Sequence, residues 1–396
     1  MAILVRKRFE KHHFNTIGKM VLVGFLVSMG LSIIDTIWAL YFDSFVHNAS
    51  LVGFISGSLT FISLISYFYI IPFIEKSRKD KLYLFTLVVY AIAYILFAIN
   101  KSFYIALLIA FVLTIAQTFR MTCFGLIIKD KSKKENLPSN EGVIYTFVNL
   151  AWLIGPLLAG FVADKLHLSF VFVLAGVFVI LAAIIFRVFR IKDAHVKKKI
   201  DKDIYRNFID FFKDKDRVVS YFVSGGVNFW WVLVYLFMPL YIVRNGLNDI
   251  WVGYFLFAAA FPLILTEYAF SVFAEKIGFK KTFMIGYLIV IIVSFVSFFT
   301  SNVFAVLVLI SAGSFGMAMV EPTTEAYSLA QLSKEEAERF YGPYNTTADI
   351  NGFIGKIIPS IILVFLPFNY IFIVFGIAMI IMFLLSFYAK EKINER

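Results

Sequence analysis

Apolar residues fall in twelve long runs separated by short polar stretches, near residues 18–42, 50–74, 82–99, 103–128, 142–163, 168–190, 218–243, 250–274, 282–300, 303–328, 341–366 and 369–389. Each run is about 18–27 residues, the length a helix needs to cross about 30 Å of hydrocarbon with some tilt. Strands of a closed barrel would be shorter and would alternate in polarity. The pattern therefore predicts an all-α integral membrane protein with twelve transmembrane helices. The N-terminus is polar and basic through Lys19 and carries no apparent cleavable leader. The first apolar run is long enough to remain as a span.

Composition agrees: 61% of residues are hydrophobic and 16% charged, against about 45–50% and 25% in soluble domains. The net charge of +11 alone would suggest a nucleic-acid partner, but the distribution of that charge explains it otherwise. With the N-terminus placed in the cytoplasm, 32 of the 37 lysines and arginines fall in cytoplasmic segments, three outside and two within spans. That asymmetry predicts a multi-pass cell-membrane protein with both termini cytoplasmic, the lipid bilayer as its surroundings and no nucleic acid. With the single cysteine, Cys123, no intramolecular disulfide can form.

The longest polar stretch, Lys192–Arg217, separates two sets of six spans. Within it Ile200, Ile204, Phe208, Phe211 and Phe212 recur at helical spacing, predicting a short amphipathic helix on the cytoplasmic surface. The two sets repeat at a constant offset of 200 residues. Asn48 with Val52-Gly53 matches Asn248 with Val252-Gly253, Glu75-Lys76 and Lys81 match Glu275-Lys276 and Lys281, and Ile154-Gly155 matches Ile354-Gly355. The expected organisation is a six-helix half over 1–190, a linker over 191–217 and a pseudo-symmetric half over 218–396. Internal six-span repeats are a signature of secondary transporters, whose solute site lies between the halves near the midplane.

Two motifs sharpen this. Ser271-Val272-Phe273-Ala274-Glu275-Lys276-Ile277-Gly278-Phe279-Lys280-Lys281 follows span eight, and Ile71 to Lys81 follows span two, keeping Glu75-Lys76 and Lys79 but with Arg78 in place of Gly278. Span five holds Gly155-Pro156-Leu157-Leu158-Ala159-Gly160. Over essentially its whole length the chain resembles the major facilitator superfamily, which carries a Gly-x-x-x-Asp-Arg-x-Gly-Arg-Arg type loop at both places. The span-five sequence is similar to the Gly-Pro-x-x-Gly-Gly motif of the superfamily's proton-coupled exporters. The resemblance implies the twelve-helix major facilitator fold and alternating access, with Glu75, Lys76, Glu275, Lys276 and Gly278 tethering cytoplasmic helix ends and Gly155, Pro156 and Gly160 serving helix packing. It also implies that Asp35 matches the acid often found in span one of drug–proton antiporters. The Glu-x-x-Glu-Arg motif of proton–peptide symporters and the Pro-Glu-Ser-Pro-Arg motif of sugar porters are absent from the sequence.

Ionisable residues within the spans are Asp35, Arg120, Glu267, Glu321, Glu325, Asp349 and Lys356. Each costs at least about 2.5–3.5 kcal/mol at membrane depth, which marks it as a functional candidate. All five histidines lie in tails, loops or the linker, so a proton carrier within the membrane would be a carboxylate, which can exchange protons near neutral pH when drawn out of water. The substrate- or proton-binding candidates are Asp35 with Trp38 on its face, Gln117 and Arg120, Asn149 (the repeat partner of Asp349), Glu267, Glu321, Asp349 and Lys356. Asp35 is open to a proton or cation role and equally to a structural one. Counting helix rise separates Arg120 from Asp35 in depth by roughly 14 Å, too far for a direct pair. Glu321 or Asp349 across a cavity is the preferred partner of Arg120. Asp349 and Lys356 share a face about 10 Å apart, enough to bracket a site.

The sequence thus predicts proton-coupled export of small amphipathic or cationic solutes. The alternative is symport or exchange of an organic anion held by Arg120 and Lys356; a membrane sensor that carries no solute ranks third. No metal-ligand cluster or nucleophile–base motif appears, so no enzyme, metal or cofactor is expected. The partners are a small solute and protons, and the chain is expected to be a monomer.

Overall fold

The computed structural model describes residues 16–75, 77–132, 137–191 and 204–391, and every regular element among them is a helix. Six membrane helices come first: α1 (Thr16–Val46), α2 (Ala49–Glu75), α3 (Lys79–Ile99), α4 (Phe103–Lys131), α5 (Leu137–Lys165) and α6 (Leu168–Val188). A short helix, α7 (Ile204–Lys213), precedes six more: α8 (Lys215–Arg244), α9 (Ile250–Ile277), α10 (Phe279–Phe299), α11 (Val303–Ala330), α12 (Lys334–Phe365) and α13 (Tyr370–Ser386). Eleven of the twelve are long and apolar enough to span alone, and α13 has 17 residues. At about 1.5 Å per residue α13 covers roughly 25 Å, a shortfall that flanking residues or local thinning of the bilayer make up. Among the described residues the fold is all-α, with twelve membrane helices in two six-helix repeats. Helices α3 and α10 begin and end 200 residues apart, as Lys79–Ile99 and Phe279–Phe299.

Local chemistry sets the helix ends. Ser333 and Glu336 form a capping box that starts α12, satisfying two of the amides a helix start leaves unpaired. Asp214 caps α8 by accepting from the Arg217 amide at 3.0 Å. Within α8 the turn Leu233–Phe237 widens, and the Met238 amide donates to the Leu233 carbonyl five residues back. Pro239 follows at once. Its ring has no N–H and would collide with the carbonyl four residues earlier, so the wider turn absorbs it.

The chain divides into two compact units, residues 1–37 with 65–200, and residues 38–64 with 201–396. In the first unit α3 packs along α6 and α4. Phe97 stacks on Phe172 at 5.1 Å, and Tyr83 lies between Phe124 and Phe186 at 5.6 and 5.0 Å. Helix α1 rests on α5 through the Ser32 hydroxyl, which donates to the Ala151 carbonyl at 3.0 Å. A side chain at Gly155 would meet that hydroxyl at 1.9 Å. Lipid offers no hydrophobic drive for helices to associate, so such close contacts and interhelical hydrogen bonds carry the packing.

In the second unit α10 packs on α11 and α13, and α8 on α12. Gly286 and Gly316 oppose each other so closely that a Cβ on either would stand 2.6 or 2.5 Å from the other's carbonyl. The linker helix α7 is docked on this unit. Phe211 is buried with Tyr221, Phe340 and Tyr344, Arg339 binds both Asn207 at 2.6 Å and Asp210, and Arg217 reaches Glu336 at 3.4 Å. Lys213, hydrogen-bonded to Asp210 at 2.9 Å, and then Arg339 hold the Asp210 carboxyl below the ordinary carboxylate range. The predicted amphipathic helix thus spends one apolar edge on the protein, while Ile209 and Phe212 stay exposed; Ile200 lies outside the described residues.

Candidate functional site

The two loop-motif copies end differently. Gly278 adopts φ +89°, where a side chain would be strained and would also meet the Glu391 carbonyl at 2.6 Å. Glu391 receives the Phe279 amide at 3.1 Å and the Lys281 ammonium at 2.7 Å, and Lys390 binds Asp216, so the C-terminal segment is clasped against α8 and α10. At the first copy Arg78 stands at φ −76° and binds Asp80 through two nitrogens, at 3.2 and 2.7 Å, while Lys79 meets Asp130 at 2.5 Å. The arginine suits its position because no left-handed turn is made there. Glu275 and Lys276 are exposed; the Glu75 side chain and Lys76 lie outside the described residues.

In the first unit, Asp35 is the one exposed residue of α1 between Val23 and Asp43. Arg120 on α4 lies over the Tyr90 ring of α3, 5.8 Å from the centroid. Tyr90 meets Tyr94 edge-on at 5.7 Å, and both lie within electrostatic reach of Asp35. The unit thereby sets Arg120 over one of a pair of buried tyrosines. Gln117 and Asn149 are exposed, the Gln117 amide resting 3.9 Å from the Met121 sulfur. Pro156 is buried beside Gly155, and Gly160 is buried a turn further along α5.

The second unit gathers two sets of candidates. Trp231 of α8 donates its indole N–H to Glu321 of α11 at 3.0 Å, and Glu267 of α9 lies within electrostatic reach of that carboxylate. Glu325 is exposed, as expected of a residue near the interface. Along α12, Lys356 donates to Thr60 of α2 at 2.7 Å, while the Asp349 carboxylate accepts from Ser63 and feels the Lys356 charge. Both partners lie on a seam between α2 and α12. Ser50 donates to the Ser360 carbonyl at 2.6 Å, Gly57 sits on Ile357, and the Phe61 and Phe353 rings are 5.3 Å apart. Trp38 donates to Ser56 of α2 at 3.3 Å, and Arg244 of α8 donates to Asp43 of α1 at 2.7 Å.

Sequence pattern alone does not single out Tyr90, Tyr94, Trp231 or the glycines of the seam. Signals for them exist. Tyr83, Tyr90 and Tyr94 share one face of span three by spacing, and Gly53-Phe54-Ile55-Ser56-Gly57 is a G-x-x-x-G sequence that permits close helix approach.

Twelve membrane helices in two repeats, with ionisable side chains within them, are the architecture of a membrane transporter. The sequence matches the family profile described as Major Facilitator Superfamily over residues 20–269 and 252–396, and the chain belongs to that superfamily, a family of transporters and not of enzymes. It is 24% identical to the staphylopine export protein of Staphylococcus aureus over 86% of this chain and 87% of that one. It is also 24% identical to an uncharacterised transporter of the superfamily from Methanocaldococcus jannaschii, over 59% of this chain and 61% of the relative. Among solved structures, a single-residue mutant of the nucleoside transporter NupG superposes with TM-score 0.78 at 10% identity, covering 95% of this chain and all of that one. A POT family transporter in complex with 5-aminolevulinic acid gives 0.76 at 13% identity over 94% and 95%. At these identities the structures speak for the fold alone.

Proposed function

We propose that the chain is a proton-coupled exporter of small amphipathic or cationic solutes, working by alternating access as a monomer in the cell membrane with both termini cytoplasmic. The observation that carries this reading is the placing of carboxylates within membrane helices: Asp35 exposed on an otherwise covered stretch of α1, Glu321 on Trp231, and Asp349 beside Lys356. Carboxylates held there are the groups able to take and release a proton as solute leaves or enters. The one-sided distribution of 32 basic residues supports the orientation, and similarity to a protein named for export supports the direction. The halves 1–190 and 218–396 are taken as the two bodies that move, joined by the 191–217 linker. In reconstituted vesicles, Asp35→Asn, Glu321→Gln and Asp349→Asn are each expected to weaken transport driven by a pH gradient. Unchanged transport in all three refutes the proposal.

A second reading, symport or exchange of an organic anion, has the placement of Lys356 and Arg120 in its favour. Lys356→Ala abolishing binding of anions alone would favour it, and anion transport retained in the Arg120→Ala, Lys356→Ala double variant would remove its basis.

A further inference from the structure

The offset of 200 matches the two loop-motif copies position for position, yet their charges are satisfied from different places. At the first copy the acids come from the adjoining helices: Asp80 of α3 binds Arg78 at 2.7 Å, and Asp130 of α4 binds Lys79 at 2.5 Å. The equivalent positions of the second repeat are Lys280 and Ala330, so both acids are missing there. The carboxylate that meets Lys281, at 2.7 Å, is Glu391, in the segment Phe387–Glu391 that follows α13. The other partners of this segment are peculiar to the second repeat as well. Asp216, which binds Lys390, stands where the first repeat has Thr16. Tyr327, whose hydroxyl accepts the Lys390 amide at 3.0 Å, stands opposite Ile127, and Glu391 itself opposite Ile191. Gly278 stands opposite Arg78, where a Cβ would lie 2.6 Å from the Glu391 carbonyl oxygen. Differences scattered by drift between two repeats would not converge on one contact.

The segment fastens several helix ends at once. Its Glu391 carbonyl accepts the Phe279 amide at 3.1 Å at the start of α10, Lys390 reaches Asp216 at the start of α8, and Tyr327 lies in the last turns of α11. Next to Asp216, Arg217 donates to the carbonyls of Asp210 and Phe211 at 3.0 and 3.2 Å, so α7 is tied to the same end of α8. The side chains of the two ion pairs are 39–62% exposed. Pairs so exposed are individually weak and are screened by salt. A contact made largely of them opens locally while the helices that it joins stay folded.

We propose that Phe387–Glu391 is a salt-sensitive latch, seated on Gly278, Phe279 and Lys281 of the second loop motif. Shut, it holds the starts of α8 and α10 and the end of α11 to α13 as one piece; with its ion pairs screened it opens as one piece. It thereby sets how freely the start of α8, and the linker helix tied to it, can move. The latch depends on neither the coupling ion nor the direction of transport.

The test is hydrogen exchange of the full chain in nanodiscs, read amide by amide by mass spectrometry with electron-transfer fragmentation. Each rate is corrected by that of an unstructured peptide of the same sequence. Raising KCl from about 0.05 M to about 1 M should speed the Phe279 and Lys390 amides together, by roughly 2- to 10-fold. In the Asp216→Asn, Glu391→Gln double variant the low-salt rates should already be raised by roughly that factor, and salt should change them by less than about 1.5-fold. Tyr327→Phe keeps both ion pairs and removes only the acceptor of the Lys390 amide. It serves if the double variant does not fold, and it should speed the Phe279 amide too, by roughly 2- to 10-fold. The proposal is overturned if salt leaves the two amides of the native chain unchanged, if the double variant keeps the native rates or the native salt response, or if Tyr327→Phe speeds the Lys390 amide alone.

Discussion

A single methyl group on Gly53 should open the seam between α2 and α12. A Cβ there would stand 1.8 Å from the Ser360 Oγ and 3.1 Å from its Cβ. Rotating the hydroxyl away breaks its 2.6 Å bond to the Lys356 carbonyl and still leaves the carbon contact tight. Overpacking of this kind costs about 1–3 kcal/mol. Only the closed seam bears that cost, because the gain in helix propensity from Gly to Ala is the same with the seam open. At about 1.4 kcal/mol per tenfold, the closed-to-open ratio should fall by roughly 5- to 150-fold. The assay is labelling by a membrane-impermeant maleimide in a Cys123→Ser background carrying Ser50→Cys, a position 3% exposed in the closed seam. Gly53→Ala should raise the labelling rate by a factor within that range. Gly142→Ala, whose Cβ would meet nothing within 4 Å, should leave it unchanged. Equal rates for Gly53→Ala and its parent would refute the reasoning that this contact holds one state closed.

Other consequences are as direct. Trp231→Phe removes the donor to Glu321 and should cost about 1.5–3 kcal/mol in thermal stability where the carboxylate is ionised, and about 0.5–1.5 kcal/mol in the Glu321→Gln background, where the bond is neutral. Gly278→Ala should free the C-terminal segment, losing roughly 1–3 kcal/mol to a backbone conformation that only glycine adopts freely, and limited trypsin cleavage at Lys390 should accelerate. Asp210, held below its ordinary range by Lys213 and Arg339, stabilises the docked linker helix once pH exceeds the unfolded carboxyl value near about 3.9. That contribution disappears as pH falls through the lower folded value. Proteolysis at Arg206 and Lys213 should therefore be constant from pH 7 to 5 and rise only in stronger acid, whereas Asp210→Asn raises it at pH 7.

Hydropathy and charge made the twelve spans and their repeat legible, because a bilayer imposes length and polarity on every helix regardless of its neighbours. The intramembrane charges were legible for the same reason. Their partners were not. Tyr90 reads as an ordinary aromatic in a phenylalanine-rich chain, and only the Arg120 guanidinium over its ring sets it apart. Trp231 lies 90 residues from Glu321, a distance no local pattern bridges. The apolar stripe of α7 suits a membrane surface and a protein face equally well; the hydrogen bond that Arg339 donates to Asn207 decides for the protein on one edge. Arg78 departs from the family's glycine because its backbone stays extended, a conformation the motif alone does not reveal.

The central claim is that carboxylates within the membrane helices couple solute movement to protons. The most direct measurement is flux into vesicles of labelled cations, anions and neutral solutes, each with a pH gradient imposed in either sense and with none. At least one amphipathic or cationic solute should accumulate only with the gradient in one sense, and Asp35→Asn, Glu321→Gln and Asp349→Asn should weaken that accumulation. Flux indifferent to the gradient, or untouched by all three substitutions, would contradict it.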